Sequence, residues 1–154
     1  ILKEMIRSPE FYLDQISFFE ALIYWSRVEN DANNWLIRIR TQAKYEITSR
    51  LLNNEGKIHV VLLNPELTET VGSIVTGQLE DIELQIEVQR ALRNEILRVT
   101  KQYGTKPVLV VNDSEINMVK PFFRHVISTL PICSHGDIAS QDCIASSEQL
   151  MVEV

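Results

Sequence analysis

Cys133, His135 and Asp137 place a thiol, an imidazole and a carboxylate within five residues. Those groups could serve as nucleophile, general base and orienting acid. Their spacing argues otherwise. On an extended strand alternate residues share a face, but their Cα atoms stand about 7 Å apart, too far for direct Cys–His and His–Asp hydrogen bonds. The competing reading is a terminal strand whose Cys133 packs inward beside a polar turn at His135-Gly136-Asp137. His59 and His125 fall on other predicted elements, and no histidine shows the helical i, i+4 pairing of a zinc protease, so no metal site is assigned. The scattered glycines make neither a Walker-type loop nor a dinucleotide fingerprint, so no cofactor is expected. Glu80, Asp81, Glu83 and Glu87 fall at the start of one predicted helix, where negative charge favours the dipole. They read as solvated charges rather than acids and bases, and no catalytic residue is assigned.

Composition narrows the class. Of 154 residues, 45% are hydrophobic and 23% charged, the balance of an ordinary globular protein rather than a disordered one. A net charge of -6 argues against a nucleic-acid partner, which would need clustered Lys and Arg to displace counterions. The densest basic stretch, Arg38 to Arg50, is interrupted by Glu46 and reads as one helix face. Cys133 and Cys143 match no common zinc or redox spacing and read as reduced thiols. No apolar run reaches the length needed to span a bilayer, and no signal peptide is visible. The chain starts at Ile1 without Met, so it reads as a fragment.

The elements follow from periodicity. Ser8-Pro9 is a helix start, after which Tyr12, Ile16, Phe19, Leu22 and Ile23 form an apolar stripe expected to face a core. A second helix opens at Asn30 or Asp31 and carries Leu36, Ile39, Ala43, Ile47 and Leu51 on one face, with Arg38, Lys44 and Arg50 largely off it. Trp25 and Trp35 are expected to pack where these two helices meet. At Lys57 the pattern changes. Ile58 to Leu63 and Val108 to Val111 are short β-branched runs typical of buried strands. Asn64-Pro65 starts a short helix, Leu79 to Tyr103 a long one that Gly104 ends, and Pro121 is expected in the first turn of another through Ser128. Ile132 to Ile138 and Leu150 to Val154 are the last predicted strands, separated by a Ser-rich loop. The fold class is therefore α+β: a helical hairpin over residues 1–56, then an α/β unit over 57–154 with a roughly four-stranded sheet and helices packed on it.

Several segments go further. Phe19-Glu20-Ala21-Leu22-Ile23-Tyr24-Trp25 resembles the "LEALAxW" helix of the export-gate family of flagellar and virulence type III secretion systems. Ile39 to Ile47 resembles the "VRxxLARxI" helix that follows it there. Leu63-Asn64-Pro65-Glu66-Leu67 is similar to "LDPEL", and Pro107 to Val111 to "PVLLV". Lys120 to His125 resembles "RPFLRR", and Ile132 to Ile138 resembles "VLSYNEI". The six stand in the family's order across almost the whole chain. Ser26-Arg27 replaces the family's "AP", about four extra residues precede Pro121, and Ala139 to Gln149 has no counterpart. These departures point to a divergent, virulence-type member.

The resemblance implies a non-enzymatic, cytosolic part of a bacterial inner-membrane protein, joined to the membrane only through a missing N-terminal portion. Residues 1–56 and 57–154 would be its third and fourth cytosolic subdomains. Its partners would be identical subunits in a nine-membered ring, secretion chaperone–substrate and gatekeeper complexes, and other export-apparatus proteins. Arg38, Arg40 and Lys44, expected to be exposed, are the candidate subunit-interface residues. The competing functions are a generic protein-interaction adaptor and, last, a small thiol-dependent enzyme.

Overall fold

The computed structural model describes residues 15–124, 129–150 and 152. Ser8, Pro9, Tyr12 and His125 lie outside them. Helices α1 (Gln15–Val28), α2 (Ala32–Gln42) and α3 (Lys44–Leu51) come first. They are followed by β1 (Ile58–Leu63), α4 (Pro65–Val75), α5 (Ile82–Tyr103) and β2 (Val108–Val111). The chain continues as α6 (Ile116–Arg124), β3 (Ile132–Ser134) and β4 (Ile144–Leu150).

The four strands form one parallel sheet in the order β3-β2-β1-β4. A parallel sheet is normally covered on both faces, which explains why β1 and β2 read as continuous apolar runs rather than alternating ones. The parity of the pleat sorts them. Val61, Leu109, Val111 and Ile132 face α4, α5 and α6, while Ile58, Val60, Val108, Val110 and Cys133 face α1, α2 and α3. Val88, Leu92 and Val99 on α5 and Phe123 on α6 are fully buried in the first of these cores. Each such side chain contributes about 1.5–3 kcal/mol by leaving water. The hairpin thus closes the sheet's second face.

Local chemistry sets the element ends. Asn64 Oδ1 accepts from the Leu67 N–H with Pro65 in the first turn of α4, and Asp81 Oδ1 accepts from the Leu84 N–H at the start of α5. Gly104, at φ 73°, ends α5 in the left-handed region. Gly72 lets α4 approach α6: a Cβ there would lie 3.0 Å from Met118 Sδ.

The structure departs from the sequence expectations at five places. The second helix bends at Ala43 (φ -87°, ψ 4°), dividing α2 from α3 while the Ala43 N–H still reaches Ile39 O. α1 turns Phe18, Ala21, Leu22 and Trp25 toward the sheet and leaves Ile16, Phe19 and Ile23 outside. α1 is apolar on two sides, so periodicity alone does not choose between them. Pro121 sits inside α6, not in its first turn. The buried Ile116, Val119, Phe122 and Phe123 outweigh the lost backbone bond, because they anchor the helix on both sides of the proline. β3 ends at Ser134, where His135–Asp137 turns into a 3-10 helix. β4 occupies most of the segment read as a loop, since its ladder to β1 supplies the order that its serines do not signal.

Candidate functional surface of the helical layer

The chain passes from β3 at one edge of the sheet to β4 at the other across the face that α1–α3 cover, with Ile138 and Cys143 packed into that core. Polar bonds pin the crossing. Arg40 Nε donates to Asp137 Oδ1 at 3.0 Å and Arg40 Nη2 donates to Asp137 Oδ2, a two-pronged pair with both side chains buried. Asp137 Oδ2 also accepts from the Ser134 N–H at 2.9 Å. Thr48 Oγ1 donates to Asp137 O at 3.3 Å and accepts from the Ala139 N–H at 2.8 Å. The Gly136 N–H donates to Asp113 Oδ1, tying the same turn to the end of β2. A guanidinium and a carboxylate matched prong to prong satisfy the geometry that a buried charge pair demands.

These bonds decide the thiol question by geometry. Cys133 is fully buried in the α1–α3 core, His135 is exposed, and the Asp137 carboxylate engages Arg40 and the Ser134 N–H. The three do not converge. His59 is instead a buried ring stacked on Tyr103, with centroids 4.0 Å apart, and its Nδ1 lies 2.7 Å from Ser146 Oγ. Among the described residues no group of three His, Cys, Asp or Glu side chains could hold a metal ion. No helix among them is long and apolar enough to cross a membrane.

The candidate interface cations separate. Arg40, expected at the surface, is 8% exposed; the bend at Ala43 puts its helix face and Thr48 over the crossing segment. Arg38 is exposed and lies over the Trp25 ring at 5.6 Å, a cation–π contact. Lys44 is half-buried with Nζ 5.3 Å from the Tyr45 ring. Each tryptophan ties α1, or the turn after it, to α2, with Trp25 packed against the helical core. Trp25 Nε1 donates to Gln42 Oε1 at 3.1 Å, and Trp35 Nε1 donates to Glu29 O at 2.8 Å. Two hollows open between α1 and the α2–α3 pair. One, of about 420 Å³, is lined by Tyr24, Trp25, Arg38, Thr41 and Gln42. The other, of about 380 Å³, has Ser17, Glu20, Ala21 and Tyr24 on one wall and Ile39, Gln42, Ala43 and Glu46 on the other. Sequence reasoning missed both, although the Glu20 and Tyr24 pair at i, i+4 was a visible signal for one wall. On the opposite layer, Glu95 and Glu148 hold the Arg98 guanidinium above its ordinary range, the Glu95 hydrogen bond first.

Comparison with known proteins places this architecture. The FHIPEP family model matches residues 2–142. The fold is similar to the Chlamydia pneumoniae CdsV protein (18% identity, TM-score 0.64), covering 97% of this chain and 44% of that one. It is similar to Shigella flexneri MxiA (20% identity, TM-score 0.60), covering 87% of this chain and 44% of that one. It also resembles the nonameric SctV-C from EPEC (18% identity, TM-score 0.62), covering 89% of this chain and 41% of that one. The chain therefore spans less than half the length of these structures. No curated protein sequence matches it.

Proposed function

Because the chain belongs to the FHIPEP family, the type III export-gate family whose motifs six of its segments resemble, we propose that it is a ring-forming and partner-docking part of such a gate. The observation that carries this reading is the family match across residues 2–142, almost the full length. The similar SctV-C is a nonamer, which supports a homo-oligomeric ring here. In this reading residues 1–56 and 57–154 are the third and fourth cytosolic subdomains of an inner-membrane protein. The ring receives chaperone–substrate and gatekeeper complexes and works beside other export-apparatus proteins. It acts as a scaffold, making and breaking no covalent bond.

Arg38 and Lys44 stand at the edge of the helical layer, where they can meet a neighbouring subunit. Arg40 serves that contact indirectly, by holding α2 against the β3–β4 crossing. The test is genetic and biochemical together. Deleting the gene should abolish type III secretion in its host, and the wild-type copy should restore it. Affinity capture of the expressed protein should recover secretion chaperones or a gatekeeper. Secretion unchanged by the deletion, with only unrelated proteins captured, would return the chain to a general adaptor.

A further inference from the structure

β4 ends the sheet, and among the described residues nothing pairs with its outer edge. From Ala145 to Leu150 its backbone bonds only to β1, so the alternate N–H and C=O groups point out to water. Natural edges are blunted by short length, proline, lysine or a bulge. β3, at the other edge, is so blunted: it is three residues long, follows Pro131 and curls at once into a 3-10 turn. β4 is seven residues long and carries no proline, lysine or arginine. Its one register shift lies opposite Ile58 and His59, and the ladder then runs unbroken from Ser146 to Leu150.

The side chains leave room for a further strand. Ser146, Glu148 and Leu150 turn toward α5, where Ser146 Oγ meets His59 Nδ1, Glu148 Oε2 lies 3.2 Å from Arg98 Nη2 and Leu150 enters the core. Ala145, Ser147 and Gln149 turn the other way and are exposed, so α1–α3 stop short of them. Charge then selects among extended segments. Arg98 is engaged by Glu95 and Glu148, and Lys57 Nζ donates to Asp142 O at 2.7 Å. Asp142 itself is exposed beside the start of the strand, and the chain carries a net charge of -6. These surroundings favour a basic segment.

We propose that the outer edge of β4 is a strand-addition site for an extended, basic stretch of unfolded polypeptide, the state of a protein in transit through a gate. The inference rests on the export reading above and names a surface for it. An export component must hold chains of unlike sequence, and main-chain N–H and C=O groups are what all of them share. Strand addition draws its affinity from those groups, while the small Ala145 and Ser147 side chains make few demands on the incoming sequence. A second copy fits less well. Two chains of like net charge repel, and β4 against β4 is a self-complementary pairing that stops at two. The family match ends at residue 142, just before β4, so the family pattern does not account for this edge.

The experiment uses the protein as encoded, with whatever residues flank this chain, and a short labelled peptide alternating Thr and Val with Lys at each end. Fluorescence anisotropy should show saturable binding, and a peptide with Ser and Ile in place of Thr and Val should bind within about threefold of it. Methylating every peptide nitrogen should weaken binding by about thirtyfold or more, because the donors are gone. Ser147→Lys combined with Gln149→Lys should weaken it by about tenfold without changing the melting temperature, since both positions are exposed. Hydrogen exchange at the outward amides of β4 should slow when the peptide is bound. Binding that methylation and the two lysines leave unaltered would place the peptide elsewhere and overturn the inference. Outward β4 amides that resist exchange without peptide would overturn it too, because the protein's own chain or a second copy then covers the edge. No peptide binding by a protein that secretion requires would sink the site and leave the export reading. Binding at β4 by a protein whose deletion leaves secretion unchanged would keep the site and sink that reading.

Discussion

Arg40 and Asp137 lie 97 positions apart, and neither looks unusual in sequence. Arg40 stands in a basic stretch that reads as a solvated face, and Asp137 ends a motif that resembles a catalytic trio. The fold gives both another task. Removing one partner leaves a buried charge without its counter-ion, a far larger effect than losing a surface pair. Arg40→Met should therefore lower stability by about 3 kcal/mol, read from urea unfolding followed by far-UV circular dichroism. Pairing it with Asp137→Asn should recover most of that loss, because both charges are then gone while the amide oxygen still accepts from the Ser134 N–H. A double variant no more stable than the single one would mean that the pair itself, rather than the orphaned charge, supplies the stability. The same reasoning separates Arg40 from Arg38 and Lys44, whose contacts are with ring faces near water and should change stability little.

At the scale of elements, caps and stops were the most legible features. Asn64-Pro65 at the start of α4 and Gly104 at the end of α5 act locally, through bonds and torsions a few residues long, so sequence alone displays them. Asn64→Ala should cost about 1 kcal/mol by orphaning the Leu67 N–H, and Gly104→Ala a similar amount by forcing a Cβ into a left-handed torsion. Thermal melts of the two variants, alone and together, check both values, and the effects should add because the sites share no partner. Elements held by distant neighbours were hard to read. Pro121 lies inside α6 because Phe122 and Phe123 bury on the sheet, and β4 forms from Ser146 and Ser147 because β1 offers a ladder. Neither cause is local.

For the whole molecule, the sheet is the shared wall of two apolar cores, with α1–α3 on one side and α4–α6 on the other. Each strand contributes to both, so losing either layer exposes the same backbone ladder. Trp25 and Trp35 both sit in the first layer, which makes their fluorescence a report on that layer alone. Unfolding by urea should give coincident transitions by tryptophan fluorescence and by far-UV circular dichroism. A fluorescence transition at clearly lower urea would instead mean that the helical layer detaches as a unit, with a boundary near residue 56. By itself the sequence determined the strands with two buried faces, the long helix between them, the Asn64 cap and Gly104 stop, and the family, because these rest on periodicity, local bonding and contiguous motifs. Only the tertiary structure decided which side of α1 meets the sheet, where the β3–β4 crossing runs, and that Arg40 points inward to Asp137. Each of those depends on residues brought together from far along the chain, and a one-dimensional pattern holds no record of which apolar side or which charge finds its partner.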